Sequence, residues 1–399
     1  MKKVLVNELK AGMAFNMPVY IDKDNILVNA KEPLKQSDID RLIHWNIKEV
    51  ETMGIAIDIS DELFVRKLDL KEKKEIDEAK NDLRLAIQKK WSFNELFEKG
   101  LKLLREAYIS IPEEKPFQIS LIRDLSDEIV DFVNKTPLSF IHLFYRPVED
   151  EITVEKHAIS SAIFAVSLAQ TLEFSKPKMV ELIFSILLLD IGMSKVPSEI
   201  LSKDSAFTEE DRRKLQAHTV YGYQLLTQVV KLKNTMAIVA LQHHEHYDGS
   251  GYPKKLKGDM ITEYSRIAAI TDSLAAMLEK KNYQESILPY NAMKELLTLG
   301  LYRYDPVFMK LLLEKMAIYP IGSLVSLSNG AVGIVAGAVR KKPMRPIVML
   351  LKTASGKSLE KPEFIHLLYH SDKYITKAES PHQLGILVEE ELERLLIKL

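Results

Sequence analysis

The chain contains no cysteine, which excludes disulfides, thiolate-ligated zinc and a cysteine nucleophile together. It also lacks net charge: 55 Lys and Arg against 56 Asp and Glu leave a formal −1. No global field therefore directs it to nucleic acid or to an anionic membrane, and any recognition of phosphate has to be local. Long apolar runs are missing as well. The longest, 182–189 broken by Ser185, is too short to span a bilayer. The basic start Met1-Lys2-Lys3 meets Glu8 and Lys10 before a signal-peptide core can develop. A cytoplasmic location is expected.

What is present is apolar substance, 46% of 399 residues, enough for about two to four compact units. The expected fold class is predominantly α. Residues 1–60 read as a small α+β module, with short strands at 4–6, 18–21 and 26–28, a turn at 22–25, a helix from Ser37 through Ile43, and strand returning at 50 and 55–57. This module holds no cluster of catalytic residue types, so sensing, docking, dimer formation and a plain structural cap all fit it. Residues 61–147 form a helical connecting region. Its stretch 67–90 alternates Lys with Glu or Asp, a solvated helix face rather than a coiled coil, because heptads are not sustained. Further helices are expected at 93–107, 121–134 and 137–145.

Residues 148–316 show five or more helices and carry five of the ten histidines. Residues 317–373 change class. Strands at 324–328 and 331–336 flank Asn329-Gly330, the dipeptide a type I′ turn prefers, and a third strand at 345–351 completes a small β-barrel-like unit or curled sheet. Residues 374–399 are expected to be an amphipathic helix with Leu384, Leu387, Val388, Leu392, Leu395 and Leu399 near one face, packed on the protein's own body, a dimer contact being the alternative.

The densest stretch is His243-His244-Glu245-His246-Tyr247-Asp248-Gly249-Ser250-Gly251-Tyr252-Pro253. Residues 235–242 have helical apolar spacing, so the adjacent histidines close a buried helix. Asp248-Gly249, Gly251 and Pro253 then make a tight loop. Neighbouring helical side chains diverge by about 100°, so both imidazoles reach one ion only near the helix end. Capping of the helix, with the rings on carbonyls or Glu245, is the competing reading, and the pair alone supports either. His157 at a helix start, Asp190 after an apolar helix, His218 within another helix and Asp272 in an otherwise apolar helix add further ligand types. A buried carboxylate is costly unless paired or bound to metal. Several helices delivering such groups to one point would build a metal site, and paired ions suit phosphodiester hydrolysis.

The order His157, Asp190-Ile191-Gly192, Val196-Pro197, His218 with Tyr221-Gly222-Tyr223, and then 243–253 resembles the HD-GYP family, metal-dependent phosphodiesterases of the bacterial messenger cyclic di-GMP. Leu9 to Met13 with Pro18-Val19-Tyr20, and Tyr319 to Val325, resemble segments that flank this domain in some members. The resemblance implies a helical HD/HD-GYP domain at 148–316. It implies one ion on Asp190, His218, His243 and His244, and a second on His157, Asp190 and Asp272, with Asp190 as the catalytic carboxylate. Asp248, Gly249, Gly251, Tyr252, Pro253 and Arg266 are the substrate-binding candidates it points to. Lys254, Lys255 and Lys257 are further phosphate candidates, although ordinary solvated charge explains them better.

Departures from the family pattern are concentrated. Leu189 stands where the family has the histidine of its His-Asp pair, and Met193 where it has a lysine after the glycine, with Lys195 a displaced substitute. Thr153 replaces the glutamate of three-metal members, Ala275 a second aspartate, and Lys281-Asn282-Tyr283-Gln284 an arginine-rich segment. Loss of a ligand should cost at least the roughly 10–100-fold that loss of a ligand's own support costs. One well-bound divalent ion is therefore expected, Fe or Mn given mixed imidazole and carboxylate, with a second weak or absent. The function so implied is a metal-binding HD-GYP-type protein of cyclic di-GMP signalling with weakened or lost phosphodiesterase activity. An active phosphodiesterase, hydrolysing the 3′,5′-phosphodiester with a metal-bound hydroxide, is the alternative. Cyclic di-GMP is the expected ligand or substrate, and a homodimer or a signalling protein the expected partner through the flanking modules. A nucleic-acid role is remote, since no basic, aromatic-rich stripe is present.

Overall fold

A computed structural model describes residues 2–22, 25–45, 47–58, 62–145, 153–203, 205–279, 281–282, 285–286, 288–370 and 372–396. The chain forms two compact units, Met1–Asn81 with Val325–Lys377, and Asp82–Leu324 with Ala378–Leu399.

The first unit opens with β1 (Lys2–Leu5), β2 (Met13–Phe15), β3 (Val19–Tyr20), β4 (Ile26–Val28), α1 (Gln36–His44), β5 (Glu49–Thr52) and β6 (Ala56–Asp58). The strands make an antiparallel sheet in the order β1-β5-β3-β4, with β2 and β6 as a separate pair. Asp38 accepts from the Lys35 N–H at 3.0 Å and so closes the first turn of α1. Ile39 and Leu42, three apart on that helix, then meet Phe15, Val19, Leu34 and Val50 in the core. The α+β module is as the residue pattern predicts, except that β2 was not expected and Val6 leaves the strand for a 3-10 turn. α2 (Glu62–Gln88) follows, and the boundary between the units falls within it. Lys71–Glu75 and Lys74–Glu78 pair at i,i+4 on its exposed face while Ala79 and Leu83 are buried.

The second unit is helical: α3 (Lys90–Ser110), α4 (Ser120–Lys135), α5 (Ile141–Tyr145), α6 (Val154–Thr171), α7 (Lys176–Leu187), α8 (Ser198–Leu201), α9 (Glu209–Gln216) and α10 (His218–Gln224). A π-turn (Leu225–Val229), α11 (Asn234–Gln242), α12 (Glu263–Glu279), a short hairpin of β7 (Lys281–Asn282) and β8 (Glu285–Ser286), α13 (Pro289–Arg303) and α14 (Pro306–Met316) complete this stretch. Pro137 drives Thr136 out of helix (φ −132°, ψ 78°) and ends α4, and α5 begins later than expected because residues 137–140 form a turn. α6 is the axis of the bundle. Every residue from Ala158 to Ala169 is buried, and α3, α4, α7, α12 and α14 all pack on it. Helices that are apolar all round belong in such positions. Side-chain caps set several helix starts: Thr153 accepts from Lys156 N–H, Thr208 and Asp211 form a reciprocal box, and Asp305 accepts from Val307 and Phe308.

The chain then adds β9 (Leu324–Leu327), β10 (Val332–Gly337), β11 (Ile347–Lys352), β12 (Ser358–His366) and β13 (Ile375–Ala378), a five-stranded sheet in the order β12-β11-β10-β9-β13. The β9–β10 turn differs from the expected type I′. Only Gly330 has positive φ (+85°), its N–H bonds to Leu327 O, and the Leu327 N–H bonds to Ala331 O. That is a three-residue loop closed by a left-handed glycine, since type I′ requires positive φ at both central residues. The C-terminal segment also differs. Residues 375–378 are strand, α15 (Pro381–Leu384) stops at left-handed Gly385, and α16 (Val388–Leu396) buries Val388, Leu392, Leu395 and Leu396. Leu387 is exposed, because the break at Gly385 takes it off that face, and Leu399 lies outside the described residues. α16 packs within its own unit through Glu389, which meets Lys90 Nζ at 2.6 Å. Among the described residues no helix is long and apolar enough to cross a membrane.

Candidate metal centre

Five segments of the second unit bring the six candidate ligands together. His157 sits in the first turn of α6, Asp190 in the turn after α7, His218 at the start of α10, His243 at the C-terminal cap of α11 with His244 next to it, and Asp272 on the buried side of α12. Each placement has a local cause. Gly192 lets the Asp190 turn press against α10: a Cβ there would stand 2.0 Å from His218 O and 2.4 Å from Gly222 N. α11 ends where its apolar run ends, which leaves two histidines at the edge of a buried helix.

The ligand atoms fall into two groups, each within 4.8 Å of one another: Asp190, His218, His243 and His244, and His157, Asp190 and Asp272. The groups differ in kind. In the first, His218 Nε2, His243 Nε2 and Asp190 Oδ1 form a triangle with sides of 3.4, 3.4 and 3.5 Å. Donor atoms about 2.0–2.2 Å from a shared ion stand about 3.0–3.5 Å apart. Both rings are oriented from behind, with His218 Nδ1–H on Leu215 O at 2.6 Å and His243 Nδ1–H on Ala240 O at 2.9 Å. A carbonyl can only accept, so each Nδ1 carries a proton and Nε2 is the atom turned toward Asp190. The donor set fits a divalent ion.

In the second group donor atoms bond to one another. His157 Nε2 lies 2.7 Å from Asp272 Oδ1 and its Nδ1 lies 3.0 Å from Glu279 Oε2, so carboxylates occupy both ring nitrogens. Burial opposes charge on His157, yet Asp272 and Glu279 together lift it well above the ordinary histidine value. Burial likewise opposes ionisation of Asp272, and His157 outweighs it. Leu189, fully buried beside Asp190, contributes only carbon.

At Asp190 burial is overcome by the hydrogen bond and charge of His243 and the charges of His218 and His157, which hold the carboxyl below the usual carboxylate range. Burial, then the neighbouring His243, pushes His244 well below the ordinary histidine value, so its ring is neutral. Tyr252 lies over that ring, centroids 4.8 Å apart and planes 28° apart.

Glu245 organises the loop after the histidines. Buried, it accepts from Lys254 N–H at 2.7 Å and Leu256 N–H at 2.9 Å. Gly251 passes so close to the helix end that a Cβ would meet His246 N at 2.3 Å, Gly249 takes φ +85°, and Tyr252-Pro253 is cis. Asp248 accepts from Ser250 N–H at 2.8 Å. Lys254, Lys255 and Lys257 are exposed. Arg266 is placed differently from the expectation of a phosphate contact. Its guanidinium is engaged by Asp305 at 2.6 Å and Asp259 at 2.8 Å, which ties α12 to the cap of α14. Lys195 is also committed elsewhere, donating to Pro112 O at 2.8 Å. Two participants escape sequence reasoning: Glu279, two turns after Asp272, and Tyr108 on α3, far away in the chain and without motif context.

Residues 148–307 match the HD domain family, and residues 324–386 match the KOW domain associated with HD domain. Among curated proteins, the chain is 28% identical over 236 residues to cyclic di-GMP phosphodiesterase PA4108 of Pseudomonas aeruginosa, covering 59% of this chain and 56% of that protein. It is 26% identical over 207 residues to cyclic di-GMP phosphodiesterase PdeB of Borreliella burgdorferi, covering 52% and 54%. A shorter match, 33% over 126 residues, covers 31% of this chain and 24% of 3′3′-cGAMP-specific phosphodiesterase 2 of Vibrio cholerae. The chain thus spans about half the length of the first two relatives.

Proposed function

We propose that residues 148–307, which match the HD domain family, are of the HD-GYP type and that the protein serves cyclic dinucleotide signalling in the cytoplasm, binding a divalent metal and cyclic di-GMP at the centre built on Asp190, with phosphodiester hydrolysis weakened or lost. The observation that carries this reading is the triangle of His218 Nε2, His243 Nε2 and Asp190 Oδ1, with both Nδ1 atoms held on main-chain carbonyls. Asp190, His218, His243 and His244 would hold one ion, Fe or Mn on the chemistry of the donors. When bound, such an ion supplies positive charge for polarising a phosphoryl oxygen and for lowering the pKa of water.

The chain's own residues do the rest. Asp190, ionised by its histidine neighbours, keeps negative charge at the point shared by both ligand groups. Tyr252 and the loop 245–253 wall the centre on the His244 side, with Glu245 holding the loop closed. On this reading hydrolysis is weakened because His157 Nε2 and Asp272 Oδ1 bond to each other and the Leu189 side chain offers no ligand atom. Full phosphodiesterase activity is the second reading, favoured by the complete four-residue group.

The test is turnover of cyclic di-GMP, with 3′3′-cGAMP in parallel, by Fe²⁺- or Mn²⁺-loaded protein whose metal content is measured, alongside Asp190→Ala. Metal bound at about one ion per chain with little or no linear product is the expected result. Rapid turnover abolished in Asp190→Ala would establish the active enzyme instead.

A further inference from the structure

The turn that carries Asp190 is gripped on both flanks by a helix outside the HD match. Tyr108, in the last turn of α3, is buried and donates its hydroxyl to the carbonyl of Leu187, the last residue of α7, at 3.2 Å. On the other side of Asp190, Lys195 ends a 3-10 turn (Ile191–Lys195) and donates to the carbonyl of Pro112, in the loop that leaves α3. The middle of α3 is seated on the helix that bears His157, since a Cβ at Gly100 would come within 2.9 Å of Ile159 Cδ1. Buried tyrosine hydroxyls find a partner when placed in an apolar core, and here the partner is the last carbonyl of the helix leading into Asp190.

We propose that α3 positions the metal centre: Tyr108 and Lys195 clamp residues 187–195 so that Asp190 Oδ1 stays at ligand distance from His218 and His243. Neither residue is itself a candidate ligand, so both act through the backbone of the Asp190 turn. A ligand constellation has to be held within about 0.5 Å of its working geometry, and a short aspartate side chain takes its position from its backbone. The clamp rests on the reading of Asp190, His218, His243 and His244 as metal ligands.

The experiment titrates Mn²⁺ into metal-stripped full-length wild type, Tyr108→Phe and Lys195→Met, following free Mn²⁺ by electron paramagnetic resonance. The visible spectrum of bound Co²⁺ and the melting temperature of each stripped protein are recorded beside it. The expected result for Tyr108→Phe is Mn²⁺ binding weakened about 10-fold, with a shifted Co²⁺ spectrum and an unchanged stripped melting temperature. Wild-type affinity and spectrum in both variants would overturn the clamp. If Tyr108→Phe also melts lower by more than about 4 °C, the surface change Lys195→Met decides: weakened Mn²⁺ binding supports the clamp and wild-type binding overturns it. Failure of the wild type to bind Mn²⁺ or Co²⁺ at all would overturn the metal reading itself and the clamp with it.

Discussion

The Nε2 atoms of His218 and His243 face each other at 3.4 Å, and each ring is held there by a hydrogen bond from its Nδ1 to a main-chain carbonyl. Two donor atoms so close, pinned from behind and sharing one carboxylate, form a prepared ligand pair. The His157 and Asp272 side chains nearby meet at 2.7 Å.

His243→Ala removes one corner of the triangle. Its metal content after purification should fall at least about 10–100-fold in affinity terms, read by elemental analysis and chelator competition. Retention of the wild-type metal load would rule out this triangle as the ligand set.

Leu189→His puts an imidazole next to Asp190 in the chain, at a buried position. Without metal the polar ring in an apolar position should destabilise the protein by roughly 1–3 kcal/mol. With Mn²⁺ the bound stoichiometry should rise toward two and cyclic di-GMP turnover should exceed that of wild type. An unchanged stoichiometry in calorimetric titration would show that Leu189 is not what limits the second ion.

Gly192→Ala inserts a methyl 2.0 Å from His218 O. Since that oxygen and Gly222 N are both backbone, relief requires α10 and the Asp190 turn to separate, a cost of at least about 1–3 kcal/mol. The melting temperature and the metal affinity should fall together. A variant that melts and binds like wild type would mean that the two segments yield freely.

Glu245→Gln tests whether that carboxylate is structural. An amide cannot accept at both positions, so one of the Lys254 and Leu256 N–H groups loses its partner, costing about 1–3 kcal/mol. Faster amide exchange across 249–256 with metal binding retained is the expected pattern. Loss of the metal with an unaltered loop would instead make Glu245 part of the centre.

Asp211 supplies an acid-dependent element. Its carboxyl is held down to about 2 from the ordinary 3.8 by Lys203 first and by the Thr208 backbone and hydroxyl second. A depressed folded pKa adds stability above pH 3.8, and that contribution disappears as pH falls from 3.8 toward 2. Asp211→Asn should therefore flatten the stability curve in that acid window and leave its shape above pH 5 unchanged, as followed by circular dichroism. An unchanged acid limb would mean that Asp211 is not among the groups whose protonation unfolds the protein.

Much of this protein was legible in its residues because the signals are local. Apolar runs and spacing mark α6, α7, α11 and α12, and Gly249, Gly251 and Pro253 mark the loop that leaves α11. The same locality explains the misjudged turn at Gly330 and the break at Gly385, where one left-handed glycine outweighs a dipeptide preference or a run of leucines. The six imidazoles and carboxylates could be named from chain order and resemblance, since each sits in an apolar segment that would not tolerate it alone.

Which atoms those groups present to one another was decided only in three dimensions. That the ring nitrogens of His218 and His243 turn to Asp190, that His157 spends both of its nitrogens on Asp272 and Glu279, and that Arg266 belongs to Asp305 all depend on helix packing between segments up to 122 residues apart. Tyr108 shows the limit most clearly: its hydroxyl reaches the end of α7 across 79 residues. No periodicity encodes that contact, because the sequence specifies which face of α3 is buried, and only the close packing of that face against α6 and α7 selects what its tyrosine meets.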